Sequence, residues 1–76
     1  MAAPKKKEVR FNVDEEFMKR LADQLQEENA SEVAREALTL LKWAADEVKA
    51  GRVILSAQPD GKDVQRLYTP GLAKVK

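Results

Sequence analysis

Glu8-Val9-Arg10-Phe11-Asn12-Val13-Asp14 is the stretch on which the reading of this chain turns. Val9, Phe11 and Val13 alternate with Glu8, Arg10 and Asn12, so an extended backbone over residues 8–13 has one apolar side and one polar side. Asp14 follows as a helix N-cap, with Glu15 and Glu16 suited to the positive end of the helix it starts. A lone strand ahead of a helix has no neighbour to satisfy its N–H and C=O groups. A second copy of the same chain meets that need with an antiparallel two-stranded ribbon.

Helical patterning supports a partner chain independently. Phe17, Leu21 and Leu25 recur at four-residue spacing, widened by Met18 and Ala22, which predicts a first helix over 15–27. Asn29-Ala30-Ser31-Glu32 fits a capping box and opens a second helix over 30–50, closed by Gly51. Along it Val33, Ala34, Ala37, Leu38, Leu40, Leu41, Ala44, Ala45 and Val48 spread over an arc of roughly 160°, against the ~100° that one neighbour covers. One short helix does not hide that arc. The expected dimer core is Val9, Phe11, Val13, Leu21, Val33, Ala37, Leu40, Leu41 and Ala44. Trp43 lies off this stripe, and the carboxy-terminal segment is expected to fold back over it; the other reading is an aromatic held for a partner.

Composition narrows the chemistry. The chain has 76 residues, no Cys and no His, which leaves room for one small core and no disulfide or thiolate metal site to brace it. The usual general base and the strongest nucleophile are therefore missing. Ser31 and Ser56 have no evident activating partner, and the three glycines form no phosphate-binding or dinucleotide motif. Glu15-Glu16 and Glu27-Glu28 read as solvated helix ends. The expectation is a protein that is not an enzyme, with no cofactor and no metal. No apolar run reaches the ~18 to 20 residues of a membrane span, and Met1 to Lys7 lacks the apolar stretch of a secretory signal. A cytoplasmic setting with no membrane partner is expected.

Net charge is +1, but its distribution is uneven. Residues 1–10 carry four basic and one acidic group (+3), residues 11–48 four basic and ten acidic (−6), and residues 49–76 six basic and two acidic (+4). In a two-fold dimer the amino-terminal arms, residues 1–7, lie close together and present a basic field. After Gly51, Val53 to Ala57 has strand propensity, Pro59-Asp60-Gly61 is a turn signal, and Val64 to Thr69 is a second strand candidate. A hairpin at 53–57 and 64–68 fits. So does an extended strand lying along the helices, with the last residues disordered.

The order of these pieces resembles the ribbon-helix-helix family of DNA-binding regulators, the Arc/MetJ/CopG group. The resemblance covers residues 8–50 and rests on Val9 to Val13, Asp14-Glu15-Glu16-Phe17, and Ser31-Glu32-Val33-Ala34-Arg35-Glu36-Ala37-Leu38. It implies a mainly α fold with one short strand: an intertwined homodimer with a two-stranded antiparallel intermolecular β-ribbon, and a domain of residues 8–51 between a flexible basic arm and a carboxy-terminal extension, 52–76. It also implies double-stranded DNA as partner, read in the major groove. Arg10 and Asn12 would then face the bases, with chemistry suited to guanine and adenine. Glu8 would stand at the margin, accepting from cytosine or pairing with a neighbouring lysine. Without DNA, the same three residues are simply the exposed polar face of a ribbon.

By the same resemblance, the start of the second helix, at Asn29, Ala30 and Ser31, would hold a phosphate with its free amides, and Lys5, Lys6 and Lys7 would add backbone contacts. The interhelix connection is about two residues shorter than is usual in the family and lacks its common glycine; Asn29 is the nearby residue that best tolerates left-handed backbone. The implied function is a sequence-specific transcriptional regulator, with repression as the expected action. Two other uses fit the residues: an antitoxin whose extension binds a toxin protein, and an adaptor dimer that never meets DNA.

Overall fold

The structure, a computed structural model, describes residues 5–76; the first four residues of the expected basic arm lie outside the described residues. It is mainly helical, with a short two-stranded antiparallel sheet. In chain order come α1 (Glu15–Leu25), α2 (Ala30–Lys49), β1 (Leu55–Ser56), β2 (Gln65–Arg66) and a 3₁₀ turn at Leu72–Lys74. Among the described residues no helix is long and apolar enough to cross a membrane.

Both helices start where a side chain takes over the first free amides. The Asp14 carboxylate accepts from Glu16 N–H at 3.0 Å and the Asn29 side chain accepts from Ser31 N–H at 2.8 Å. The expected capping box is only half made. Glu32 pairs with Arg35 at 3.2 Å, and Glu27 supplies the second acceptor instead, its Oε1 lying 3.1 Å from Glu28 N and 3.3 Å from Asn29 N.

α1 stops two residues before its expected end because Gln26 turns into the left-handed region at φ 54°. The Glu27 N–H then reaches the Ala22 carbonyl at 2.9 Å and the Gln26 N–H reaches that of Asp23 at 3.1 Å. This pair of bonds closes a helix and usually centres on glycine. The left-handed residue of the tight turn is thus Gln26, not Asn29, whose φ is −105°. α2 ends with the same bonds, Arg52 N–H to Glu47 carbonyl and Gly51 N–H to Val48 carbonyl, both at 3.0 Å, with Gly51 at φ +87°.

The short connection folds α1 against α2, with Val33 and Ala44 buried at 2% and 4% exposure. Beyond Gly51 the chain makes a hairpin, Leu55 opposite Arg66 and Ser56 opposite Gln65, and then returns to α2. The last residues are ordered by that return. Leu72 is 4% exposed, and Thr69, Leu72 and Val75 line a shallow apolar recess with Leu41 and Ala45. Leu41 and Ala45 lie nearly opposite Trp43 on the helix. The segment therefore does not cover the tryptophan as expected, and Trp43 stays 51% exposed.

One expected element is missing from the single chain: residues 8–13 form no strand, and the only strands among the described residues are β1 and β2. The reason is visible in the backbone. Residues 5–13 make no backbone–backbone hydrogen bond among the described residues, and a ladder needs a second strand. The chain is correspondingly open. It exposes 7443 Å², whereas a compact monomer of its 8.5 kDa mass would expose about 4,700 Å².

Candidate functional site

The segment before α1 keeps the two-sided character of its sequence. Glu8 and Arg10, two residues apart, project together: Arg10 Nε donates to Glu8 Oε1 at 2.9 Å, with side chains 87% and 73% exposed. Glu8 is thus paired with Arg10 and not with a lysine. So exposed a pair contributes little to stability, and Arg10 can leave it for a better acceptor. Asn12 is exposed as well.

On the opposite parity Val9, Phe11 and Val13 are 67%, 64% and 45% exposed. Val9 and Phe11 do not point into empty solvent. Together with Lys7 they form one wall of an open groove whose other wall is the first half of α2, at Ser31, Ala34, Arg35, Ala37, Leu38 and Thr39. The groove joins residues expected to meet DNA phosphate (Lys7, Ser31) to residues expected in a dimer core (Val9, Phe11, Ala37). It leaves out Leu41, which belongs to the carboxy-terminal recess.

The remaining expected core residues divide by environment. Val33 and Ala44 are buried within the chain, and Leu21 is half-buried. Leu38 and Leu40 stand 68% and 62% exposed on α2. Removing such leucines from water is worth about 1.5–3 kcal/mol each. They stand about 160° apart around the helix, on the two edges of its apolar arc, and each edge is unpartnered in the single chain.

At the other end of the groove, the start of α2 differs from expectation in one respect. Ser31 N–H is held by the Asn29 side chain and the amides of Glu28 and Asn29 by the Glu27 carboxylate. A carboxylate thus already fills part of the place where an external anion would sit. Ala30 is exposed there, and Lys5, Lys6 and Lys7 are exposed along the arm.

Sequence reasoning missed Glu27 because Glu32 has the spacing of a capping box; the usable signal was an acid two residues ahead of the cap, where the helix end attracts negative charge. It also missed Arg35, a cation 71% exposed on the groove wall. Among the described residues no three His, Cys, Asp or Glu side chains gather into a group that could hold a metal ion. No protein-family model, curated protein or solved structure matches the chain.

Proposed function

We propose that this chain is a homodimeric, sequence-specific DNA-binding regulator of the ribbon-helix-helix type, acting as a repressor. Two copies of residues 8–13 pair antiparallel about a two-fold axis and so satisfy the backbone groups that one chain leaves open. Val9, Phe11 and Val13 turn inward over α2 of both copies, and the exposed groove wall around Ala37 and Leu38 closes in the same step. Glu8, Arg10 and Asn12 then stand on the outer face of the ribbon, which lies in the major groove.

The observation that carries this reading is the open groove between Val9–Phe11 and the first half of α2, with Arg10 and Glu8 on the other parity. It supports a segment placed beside its helical platform, short of a second strand. Reading the bases requires Arg10 to leave Glu8, a small cost for so exposed a pair. In return its guanidinium donates to guanine O6 and N7, and the Asn12 amide matches adenine N6 and N7. Lys5, Lys6 and Lys7 of both copies neutralise phosphates without regard to sequence. The start of α2 takes a phosphate on its free amides once Glu27 swings aside. Catalysis has no part in this mechanism.

The test is selection of duplexes from a random pool, followed by affinity for the selected site. Arg10→Ala and Asn12→Ala are each expected to lose about 1–3 kcal/mol for that site and little for random duplex, with the dimer intact. Undiminished specific binding in both variants sinks the base-reading roles. Failure of the native chain to bind any duplex at low salt leaves the adaptor function in its place.

A further inference from the structure

Arg35 is a cation on the groove wall that neither the ribbon nor the helix caps employ. Its Nη1 lies 3.2 Å from Glu32 Oε1, with side chains 71% and 44% exposed. So open a pair contributes little to stability, and a guanidinium has five donors, more than one carboxylate oxygen engages. The helix sets Arg35 at the rim of the groove. It lies one turn beyond Ser31, about 40° round α2 and ~6 Å along it, and about 60° past Leu38, where the apolar arc ends. A ribbon laid over Ala37 and Leu38 therefore covers the floor and leaves Arg35 at the edge, with Lys7 on the facing wall.

The two sides of the start of α2 differ in charge. On one, the depression around Met18 and Ala22 is lined by Glu15, Asp23, Glu27 and Glu28 against Lys19 alone. On the other, the charged residues lining the groove are Lys7 and Arg35, with no carboxylate among them; Glu32 lines neither. An anion approaching this helix end is therefore repelled on the first side and attracted on the second. There it meets amides that are already engaged, those of Glu28 and Asn29 by Glu27 and that of Ser31 by Asn29. The donors open to it without moving Glu27 are cationic side chains.

We propose that Arg35 of each copy binds a backbone phosphate of the duplex beside the ribbon, with Lys7 across the groove as the second cation. This rests on the DNA-reading function proposed above and adds to it a residue that base reading does not use. Arg35 fixes the position of the protein on the backbone and carries no sequence preference.

Fluorescence anisotropy of the full chain on a random-sequence duplex and on a selected site, at several salt concentrations, tests it. Each phosphate contact adds about 0.9 to the steepness of log K against log salt, so Arg35→Ala is expected to flatten the slope by about 1.8 for a dimer. Both duplexes should weaken to the same degree. Arg35→Lys is expected to keep the slope, since a point charge still neutralises a phosphate. Arg35→Gln, which keeps the stem, should flatten it as alanine does and serves should Arg35→Ala disturb the helix. Lys42→Ala is the comparison. That cation stands ~10 Å further along the same line of α2, pairs with Asp46 at 2.7 Å and lies outside the groove, so the slope is expected to hold. Helical circular dichroism should be unchanged throughout. A slope unmoved by Arg35→Ala overturns the proposal and leaves the DNA-reading function standing. An equal flattening by Lys42→Ala overturns it too, because the effect would then come from overall charge and not from a contact. A native chain that binds neither duplex at low salt removes the DNA-reading function, and the role of Arg35 with it.

Discussion

The amino-terminal segment, residues 8–13, and the carboxy-terminal stretch, residues 53–68, are both short extended candidates with apolar side chains exposed, yet only the second forms a sheet within the chain. The difference lies in the residues that come next along the backbone. After β1 the chain reverses: Gly61 adopts φ +84°, Asp60 accepts from Lys62 N–H at 2.9 Å and Gln58 N–H reaches the Lys62 carbonyl at 2.9 Å. Closing so short a loop costs little entropy, and a return strand arrives within a few residues. After Val13 the next residue is a helix cap, so no return strand exists in reach. A strand that pairs in its own chain needs a turn, and residues 8–13 have none; their pairing with a second copy belongs to the proposed dimer.

Breaking the intermolecular half of that comparison should have the largest effect. Phe11→Ala is expected to cost about 3–5 kcal/mol if the ribbon buries it between two copies. Sedimentation equilibrium would show dissociation to monomer, with helicity falling as the protein is diluted. An unchanged melting temperature and mass would leave Phe11 a solvent-facing side chain and remove the ribbon.

The local half is broken by Gly61→Val. A β-branched residue at φ +84° is strained whatever space surrounds it, and a loss of about 1–2 kcal/mol exceeds what two paired residues per strand can hold. Cross-strand nuclear Overhauser contacts between Leu55 and Arg66 should vanish while the mass of the proposed dimer stays the same. Loss of the dimer as well would tie the two regions together in a way the single chain does not display.

Gln26→Gly sharpens the comparison from the helical side. It relieves a left-handed non-glycine residue and should stabilise the fold by about 1 kcal/mol, read as a higher denaturation midpoint. A lower midpoint would mean that the Gln26 side chain makes a contact outweighing its backbone strain. Glu27→Gln should have the smallest effect. Removing the carboxylate charge from the amides of Glu28 and Asn29 is expected to tighten duplex binding by about 0.3–1 kcal/mol, with little change in specificity. Equal or weaker binding would show that phosphate does not use this helix end.

The legibility of the molecule depends on the range of the forces involved. Asp14 and Asn29 cap their helices because an N-cap acts within three residues, and Gly51 ends α2 because positive φ is a property of one residue. Such features can be read locally. Glu27 could not be chosen over Glu32 from spacing alone, since both reach the same helix end. The choice between a hairpin and a strand along α2 was also closed to periodicity, because both present the same alternation. In the candidate site the pairing of Arg10 with Glu8 comes from their shared parity, but the convergence of Lys7, Val9 and Phe11 with Ser31 and Ala37 depends on the interhelix angle.

By itself the sequence determined the two helices, their caps, the alternation of residues 8–13 and an apolar surface on α2 too broad for one neighbour, since each is set by residue type and spacing. Only the tertiary structure decided that Gln26 makes the turn, that Leu72 seats against Leu41 and Ala45 while Trp43 stays open, and that the sheet forms at β1 and β2. These outcomes depend on which surfaces meet after the chain has turned. That is a balance of burial and loop closure across the molecule, and no local window contains it.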